Sequence, residues 1–389
     1  MTQAHVLFLI DELRPHLGGA EKTMLRMAAL LPPNRFRCSV ATFKVPSGYG
    51  TPEEVAAVVP CPFHYFPIGR IGSPQCWSAL AELRRFIRLG EVAITHTFFP
   101  TSDLIGGLVA KTSGCPVVIS SRRDMGVTRR RGHSILYRGM AHVVDEVQAV
   151  SEQVRSWTIA RDRVPADRIF TVYNGIDLAG FDAMTNDSAV TPLASNGGRI
   201  VLTVANARPV KGLDVFLRMA ALVHRQAPDV TFVIVGVVDG PYGDQLRALA
   251  ACLPEQRVKF LGKVSNAVPL IRQADVFCLL SRSEGFSNAL IEAMACRVAC
   301  VASTVGGNPE ALEDGHNGFL VPSEAAEAAA DRVLRLLRDA ELRKSLGVAA
   351  RNTIESRFTE ERLIHTVVQR YDALLSAKKL VYTPSMVTN

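Results

Sequence analysis

Short apolar runs alternate with helical stretches along almost the whole chain, and the alternation is broken once, near its middle. Residues His5–Ile10, Cys38–Phe43, Val92–His96, Val117–Ser121, Val147–Val150 and Ile169–Tyr173 read as strands, and Gly19–Leu31 as the first of the helices among them. Apolar strands separated by helices belong in a parallel sheet covered on both faces. The break runs from Asp182 to Gly198, where Thr185-Asn186-Asp187-Ser188, Pro192 and Ser195-Asn196-Gly197-Gly198 make a polar, turn-rich linker. A second alternation follows through Ile200–Ala205, Thr231–Gly236, Val258–Leu261, Val276–Leu280, Val298–Ala302 and Gly318–Val321. The chain finishes with helices from about Glu324 to Ala377.

This pattern predicts an α/β protein of two Rossmann-like domains, residues 1–180 and 199–356, joined by a linker at 181–198. Their parallel sheets would face across a cleft, with ligands at the carboxyl ends of the strands. The length of 389 residues agrees, since one core rarely serves that many and two domains of about 150–200 residues do. With 48% hydrophobic and 21% charged residues the chain is globular rather than disordered or fibrous.

The stretch Met1–Ile10 has no basic start, long apolar core or small-residue cleavage site, so no secretory signal is expected. No apolar run of about 18 residues occurs, so neither is a transmembrane helix. The cytoplasm is the expected compartment. The eight cysteines are scattered, and Cys296 and Cys300 lack the spacing of a zinc site. They read as free thiols, with no metal site.

The net charge of +7 is uneven: residues 1–180 carry 21 Lys and Arg against 15 Asp and Glu. The excess is densest at Arg122, Arg123, Arg129, Arg130, Arg131 and Arg138, close to Ile135, Leu136, Tyr137 and Met140. Two readings stand open: a solvated basic loop, or peripheral contact of the Arg122–Arg138 region with an anionic membrane or a phosphate-bearing acceptor. A nucleic-acid partner is not expected, because the run lacks interleaved stacking aromatics.

The strongest local signal is Glu284-Gly285-Phe286-Ser287-Asn288-Ala289-Leu290-Ile291-Glu292, which follows the strand Val276–Leu280. A helix starting just after Gly285 would offer the backbone N–H groups of Phe286, Ser287, Asn288 and Ala289 to an anion such as a diphosphate. Glu284 and Glu292, about two turns apart, would grip two ends of one extended ligand; an acidic cap and an exposed helical Glu would look the same. In Ala205-Asn206-Ala207-Arg208-Pro209-Val210-Lys211-Gly212 a bidentate Arg208 and a point charge at Lys211 suit a diphosphate, or are plain surface charge. Gly306-Gly307-Asn308-Pro309-Glu310 permits close backbone approach. Gly18-Gly19-Ala20-Glu21 is a glycine turn opening a helix, but it is not the dinucleotide fingerprint. His96 closes the strand Val92–His96 and is either a structural histidine or one pointing into the cleft.

In this order the motifs resemble glycosyltransferase family 4, with its GT-B fold. Glu284 to Glu292 resembles the family's pair of glutamates flanking seven residues. Arg208 and Lys211 resemble its basic diphosphate ligands, and Gly306 to Glu310 its glycine-pair loop. Asn317-Gly318-Phe319-Leu320-Val321, Tyr173-Asn174-Gly175-Ile176-Asp177 and Gly18 to Glu21 resemble further family elements, and His96 falls where the family places a histidine beside the transferred sugar.

The resemblance implies a retaining, metal-independent glycosyltransferase without cofactor. It would move a sugar from a UDP- or GDP-sugar to a glycan or lipid-linked acceptor, in cell-surface polysaccharide or glycolipid synthesis. His96, Glu284, Arg208 and Lys211 would be catalytic. Gly18, Gly19, Gly262, Val264, Phe286, Ser287, Asn288, Ala289, Leu290 and Glu292 would bind the donor, Glu292 at the ribose and Glu284 at the sugar hydroxyls. The segment 357–389, with Phe358 and Tyr371 among its helices, would cross back to the first domain. Two rivals remain: a non-catalytic nucleotide-sugar-binding protein, and a sugar-nucleotide epimerase of the same fold, which would form no acceptor product.

Overall fold

A computed structural model describes residues 3–13, 18–45, 50–127, 129, 132–183, 193 and 198–380. Most of the linker expected at 181–198 lies outside the described residues, as do Arg130 and Arg131. The chain forms two compact units. One holds Met1–Tyr173 together with Glu361–Asn389, and the other holds Asn174–Glu360.

The first unit is built on strands β1 (Ala4–Glu12), β2 (Phe36–Lys44), β3 (Phe63–Tyr65), β4 (Val92–Phe98), β5 (Val117–Arg122), β6 (Glu146–Ala149) and β7 (Ile169–Thr171). Their order is β3-β2-β1-β4-β5-β6-β7, all pairs parallel. The second unit holds β8 (Ile200–Val204), β9 (Thr231–Val235), β10 (Val258–Phe260), β11 (Val276–Leu279), β12 (Ala299–Ser303) and β13 (Phe319–Val321). Their order is β10-β9-β8-β11-β12-β13, again parallel throughout. Both sheets are doubly wound, and the winding reverses between β1 and β4 and between β8 and β11. Such a switch point leaves a crevice at the carboxyl ends of the two central strands.

Burial explains the composition of the strands. β4, β5, β9 and β12 are buried along their whole length, which is why they read as continuous runs rather than alternating ones. The edge strand β3 was not anticipated. At three residues, half-exposed, it leaves too short a pattern to read.

The helix Glu360–Ala377 packs Leu363, Val367, Val368, Tyr371 and Leu375 into the core of the first unit. Phe358 does not cross with it. Its ring lies 5.0 Å from that of Phe286, within the second unit. All eight cysteines are free; Cys252 is exposed and Cys76, Cys115, Cys278 and Cys300 are buried. Among the described residues no helix is long and apolar enough to cross a membrane.

Candidate functional site

In the second unit the two strongest sequence motifs sit on the loops that leave the adjacent central strands β8 and β11. The loop after β8 carries Arg208 and, in a single 3-10 turn, Pro209–Lys211. Gly212 ends it at φ +62, where an added Cβ would lie 2.0 Å from the Leu280 carbonyl oxygen. That contact seats the first loop against the second. Across it the Lys211 ammonium reaches both Glu284 oxygens, at 2.8 and 2.9 Å, while Ser281 Oγ donates to Oε1 at 2.6 Å. Glu284 is buried. Arg208 is exposed, and its guanidinium makes no hydrogen bond or ion pair with the described residues.

A third loop closes on Glu284 from the other side. Gly306 has φ +53, and a Cβ there would lie 1.7 Å from the Glu284 carbonyl oxygen. Gly307 N–H donates to the Gly285 carbonyl at 2.9 Å. Only a bare backbone fits so close. Asn308, next along, is turned inward, its amide donating to the Ser303 carbonyl at 3.0 Å.

The helix after Gly285 begins later than expected. It spans Asn288–Ala295, and Ser287 is its N-cap, accepting from Leu290 N–H at 3.4 Å. The first-turn N–H groups of Asn288 and Ala289 have no acceptor inside the helix. Leu290 cannot serve the donor as expected, because its side chain is in the core and its N–H is taken by Ser287. Phe286 packs on Phe358, and its carbonyl accepts from Asn174 Nδ2 at 3.1 Å. The same Nδ2 lies 2.6 Å from Asn288 Oδ1. Asn174 thus braces the start of the helix, a duty its sequence context did not reveal. Glu292 is half-buried one turn further on. Gly262, at φ +69, follows β10 and accepts from Gly236 N–H at 2.8 Å, and Val264 is half-buried beside it.

The first unit overturns one expectation. His96 does not end β4, which continues through Thr97 and Phe98. The imidazole is wholly buried, 2.7 Å from the Tyr371 hydroxyl through Nδ1 and stacked between Phe8 at 5.8 Å and Phe98 at 4.8 Å. Burial, with Arg123 nearby, pulls its pKa down to about 3. It is a neutral histidine of the first unit's core. Gly18 and Gly19 are exposed at the start of the helix Gly19–Leu30.

The basic region is not one surface patch. Arg122, at the end of β5, and Arg129 are 4% and 8% exposed. Arg122 meets Asp103 at 2.9 Å and Asp162 at 3.3 Å, and Arg129 meets Asp162 at 2.5 Å. Both guanidinium groups also lie on the Tyr137 ring, 4.2 and 3.8 Å from its centroid. Burial draws the Arg123 guanidinium down to about 10, with Glu21 opposing it. Arg122 and Arg129 are thus held by buried carboxylates; among the described residues the region's exposed side chains include Val127 and, on the helix His133–Met140, Ile135, Leu136 and Arg138.

Known proteins bear on this geometry. The family profile of Glycosyl transferases group 1 matches residues 187–353, and that of Glycosyltransferase Family 4 matches residues 17–179. The N-acetyl-alpha-D-glucosaminyl L-malate synthase of Bacillus anthracis is 33% identical over 226 residues, 57% of this chain and 57% of that protein. A phosphatidyl-myo-inositol mannosyltransferase of Mycobacterium tuberculosis is 27% identical over 315 residues, 78% of this chain and 80% of that one. Among solved structures, Anabaena HepE in complex with UDP and glucose has the same fold, with a TM-score of 0.81 at 20% identity over 95% of this chain and 100% of that chain. With both of its sheets doubly wound and both halves matched, the chain belongs to the glycosyltransferases of the group 1 and family 4 type, on the GT-B fold.

Proposed function

We propose that this glycosyltransferase takes a UDP- or GDP-sugar as donor and retains the configuration of the transferred sugar, without a bound metal. The observation that carries this reading is the arrangement at the β8–β11 switch point. Lys211, an exposed Arg208 and the amino end of the helix Asn288–Ala295 all stand on the loops that leave these two neighbouring strands, where positive charge and backbone N–H groups would suit a diphosphate. In the reaction the bond from the anomeric carbon to the diphosphate breaks, a bond to an acceptor hydroxyl oxygen forms, and a proton is released. Negative charge builds on the departing diphosphate. Arg208, Lys211 and the Asn288 and Ala289 N–H groups would stabilise that charge in place, which is transition-state electrostatics. Glu284 would hold the sugar hydroxyls and Glu292 the ribose. His96 is left out of the machinery because of its burial.

Titrating UDP, GDP and ADP into the metal-free protein tests the reading. Micromolar binding of one diphosphate, lost in Glu292→Ala and in Arg208→Ala, upholds it. UDP is the natural first probe, since HepE was solved with it. No binding by the folded protein sinks the donor assignment. Turnover that survives a chelator would support metal independence, and product NMR would read the anomeric configuration.

For the acceptor we propose a glycan or a lipid-linked molecule, approached from an anionic membrane surface. Exposed Ile135 and Leu136 beside Arg138 favour this. An apolar pair with a neighbouring cation suits shallow insertion among lipid headgroups. Co-sedimentation with anionic vesicles, lost in Ile135→Ser/Leu136→Ser, is the expected result. Equal binding by that variant would refute it.

A further inference from the structure

Arg282 stands two residues ahead of Glu284, outside the set of residues proposed to touch the donor. Its backbone N–H donates to the Val210 carbonyl at 2.8 Å. Its guanidinium takes both oxygens of Asp214, at 2.8 and 2.7 Å. It also donates to the Pro209 carbonyl, and meets Glu324 through Nε and, at 3.1 Å, through Nη2. Asp214 lies in the first turn of the helix Leu213–His224, directly after the Arg208–Lys211 loop, and accepts a further bond from Tyr242 Oη at 2.7 Å. Tyr242 belongs to the helix Gly240–Ala250 after β9, and Glu324 follows β13. One side chain from the loop after β11 therefore grips the loops after β8 and β13 and, through Asp214, reaches the helix after β9.

We infer that Arg282 is a positioning residue: it latches the Arg208–Lys211 loop to the Glu284 loop, so that both halves of the diphosphate site are in register before the donor arrives. The inference rests on the donor reading proposed above. An isolated surface ion pair contributes little, but this one is forked, shared among three acceptors and tied by its own backbone. A lysine would bring one point charge to a place where two planar edges are in use. The latch also persists with pH. Burial pushes the Asp214 carboxyl up, the Arg282 and Tyr242 hydrogen bonds outweigh it, and the group is left at about 2.

The test compares Arg282→Ala, Arg282→Lys and the control Arg218→Ala. Arg218 is half-exposed and touches the same two carboxylates, at 3.3 Å for Asp214 and 3.1 Å for Glu324. Amide hydrogen exchange is read in the unliganded protein at Lys211, Gly212 and position 282, and UDP and GDP affinities and donor KM are then measured. Both Arg282 variants should exchange faster at all three amides, and affinity should fall about tenfold, the factor for loss of one charged hydrogen bond. Donor KM should rise more than kcat falls, and Arg218→Ala should match the wild type. Wild-type exchange in Arg282→Ala overturns the latch, as does full rescue by Arg282→Lys. Faster exchange with unchanged affinity refutes its role in the site. If the wild type binds neither UDP nor GDP, the donor reading fails, and the exchange arm alone still decides whether the two loops are latched.

Discussion

The Lys211 ammonium stands 2.8 and 2.9 Å from the two oxygens of Glu284, across 73 positions of sequence. Among the described residues the Glu284 carboxylate has one other hydrogen bond, from Ser281 Oγ. Removing Lys211 leaves a buried carboxylate with a single hydroxyl for company, which costs about 1–3 kcal/mol. Lys211→Ala should lose that much by urea denaturation. In a double-mutant cycle with Glu284→Ala the two losses should fall well short of adding up. Strict additivity would mean the pair does not form in solution.

His96 and Tyr371 set a pH dependence. The folded imidazole titrates at about 3 against an ordinary 6.5, so below pH 6.5 the unfolded chain takes up the proton first. Stability conferred by the neutral ring is whole above about pH 6.5 and is lost as pH falls toward 3. Urea midpoints should decline over that window, and less steeply in His96→Phe. Tyr371→Phe removes the 2.7 Å bond to Nδ1 and should cost about 1–3 kcal/mol by leaving a buried ring nitrogen unsatisfied.

Asp162 is wholly buried between Arg122 and Arg129. Asp162→Ala takes the carboxylate from the buried Arg129 guanidinium and leaves Arg122 with Asp103 alone, and should destabilise the protein by about 3–5 kcal/mol. Asp162→Asn, which keeps the shape and one acceptor, should fall between that and the wild type. A loss under about 1 kcal/mol for Asp162→Ala would show the cluster to be solvated.

Much of this was legible in the residues. The alternation of apolar runs and helices gives the doubly wound sheets, because buried parallel strands must be apolar on both faces. The loops with Arg208, Glu284 and Gly306 could be placed at strand ends for the same reason. What failed was register and direction. Thr97 and Phe98 continue β4 as well as they could start a loop, so His96 looked terminal when it is internal. Ser287 is a good N-cap, and that signal would have moved the helix start from Gly285 to Asn288 and withdrawn Leu290. The arginine run looked like a surface because its partners, Asp103 and Asp162, are distant in sequence. The Arg282 latch was hidden likewise, since it joins loops that only the strand order makes neighbours.

Gly306 makes a prediction about activity without catalytic chemistry. A methyl group there would meet the Glu284 carbonyl oxygen at 1.7 Å, and φ +53 disfavours any side chain. The loop after β12 has to retreat or push the Glu284–Gly285 peptide aside. Gly306→Ala should therefore fold, with a stability loss of about 1–3 kcal/mol, and lose donor turnover far more severely than that loss accounts for. Gly315→Ala, also at positive φ but with open space around its Cβ position, separates strain from displacement. It should lose stability and keep its donor KM. Equal loss of turnover in both variants would show that strain alone is responsible.

Arg208 tests the electrostatic half of the site most directly. It is exposed and bonded to none of the described residues, so Arg208→Ala should leave the unfolding midpoint unchanged. If the guanidinium meets the diphosphate, its removal should weaken UDP or GDP binding by about 1.5–3 kcal/mol, roughly a 10- to 150-fold change. Arg208→Lys should recover part of that, since a point charge replaces a bidentate fork. The wild-type affinity should also fall with added salt more steeply than that of Arg208→Ala, because an exposed charge is screened. Identical salt slopes in the two proteins would place the diphosphate elsewhere, whatever the change in affinity.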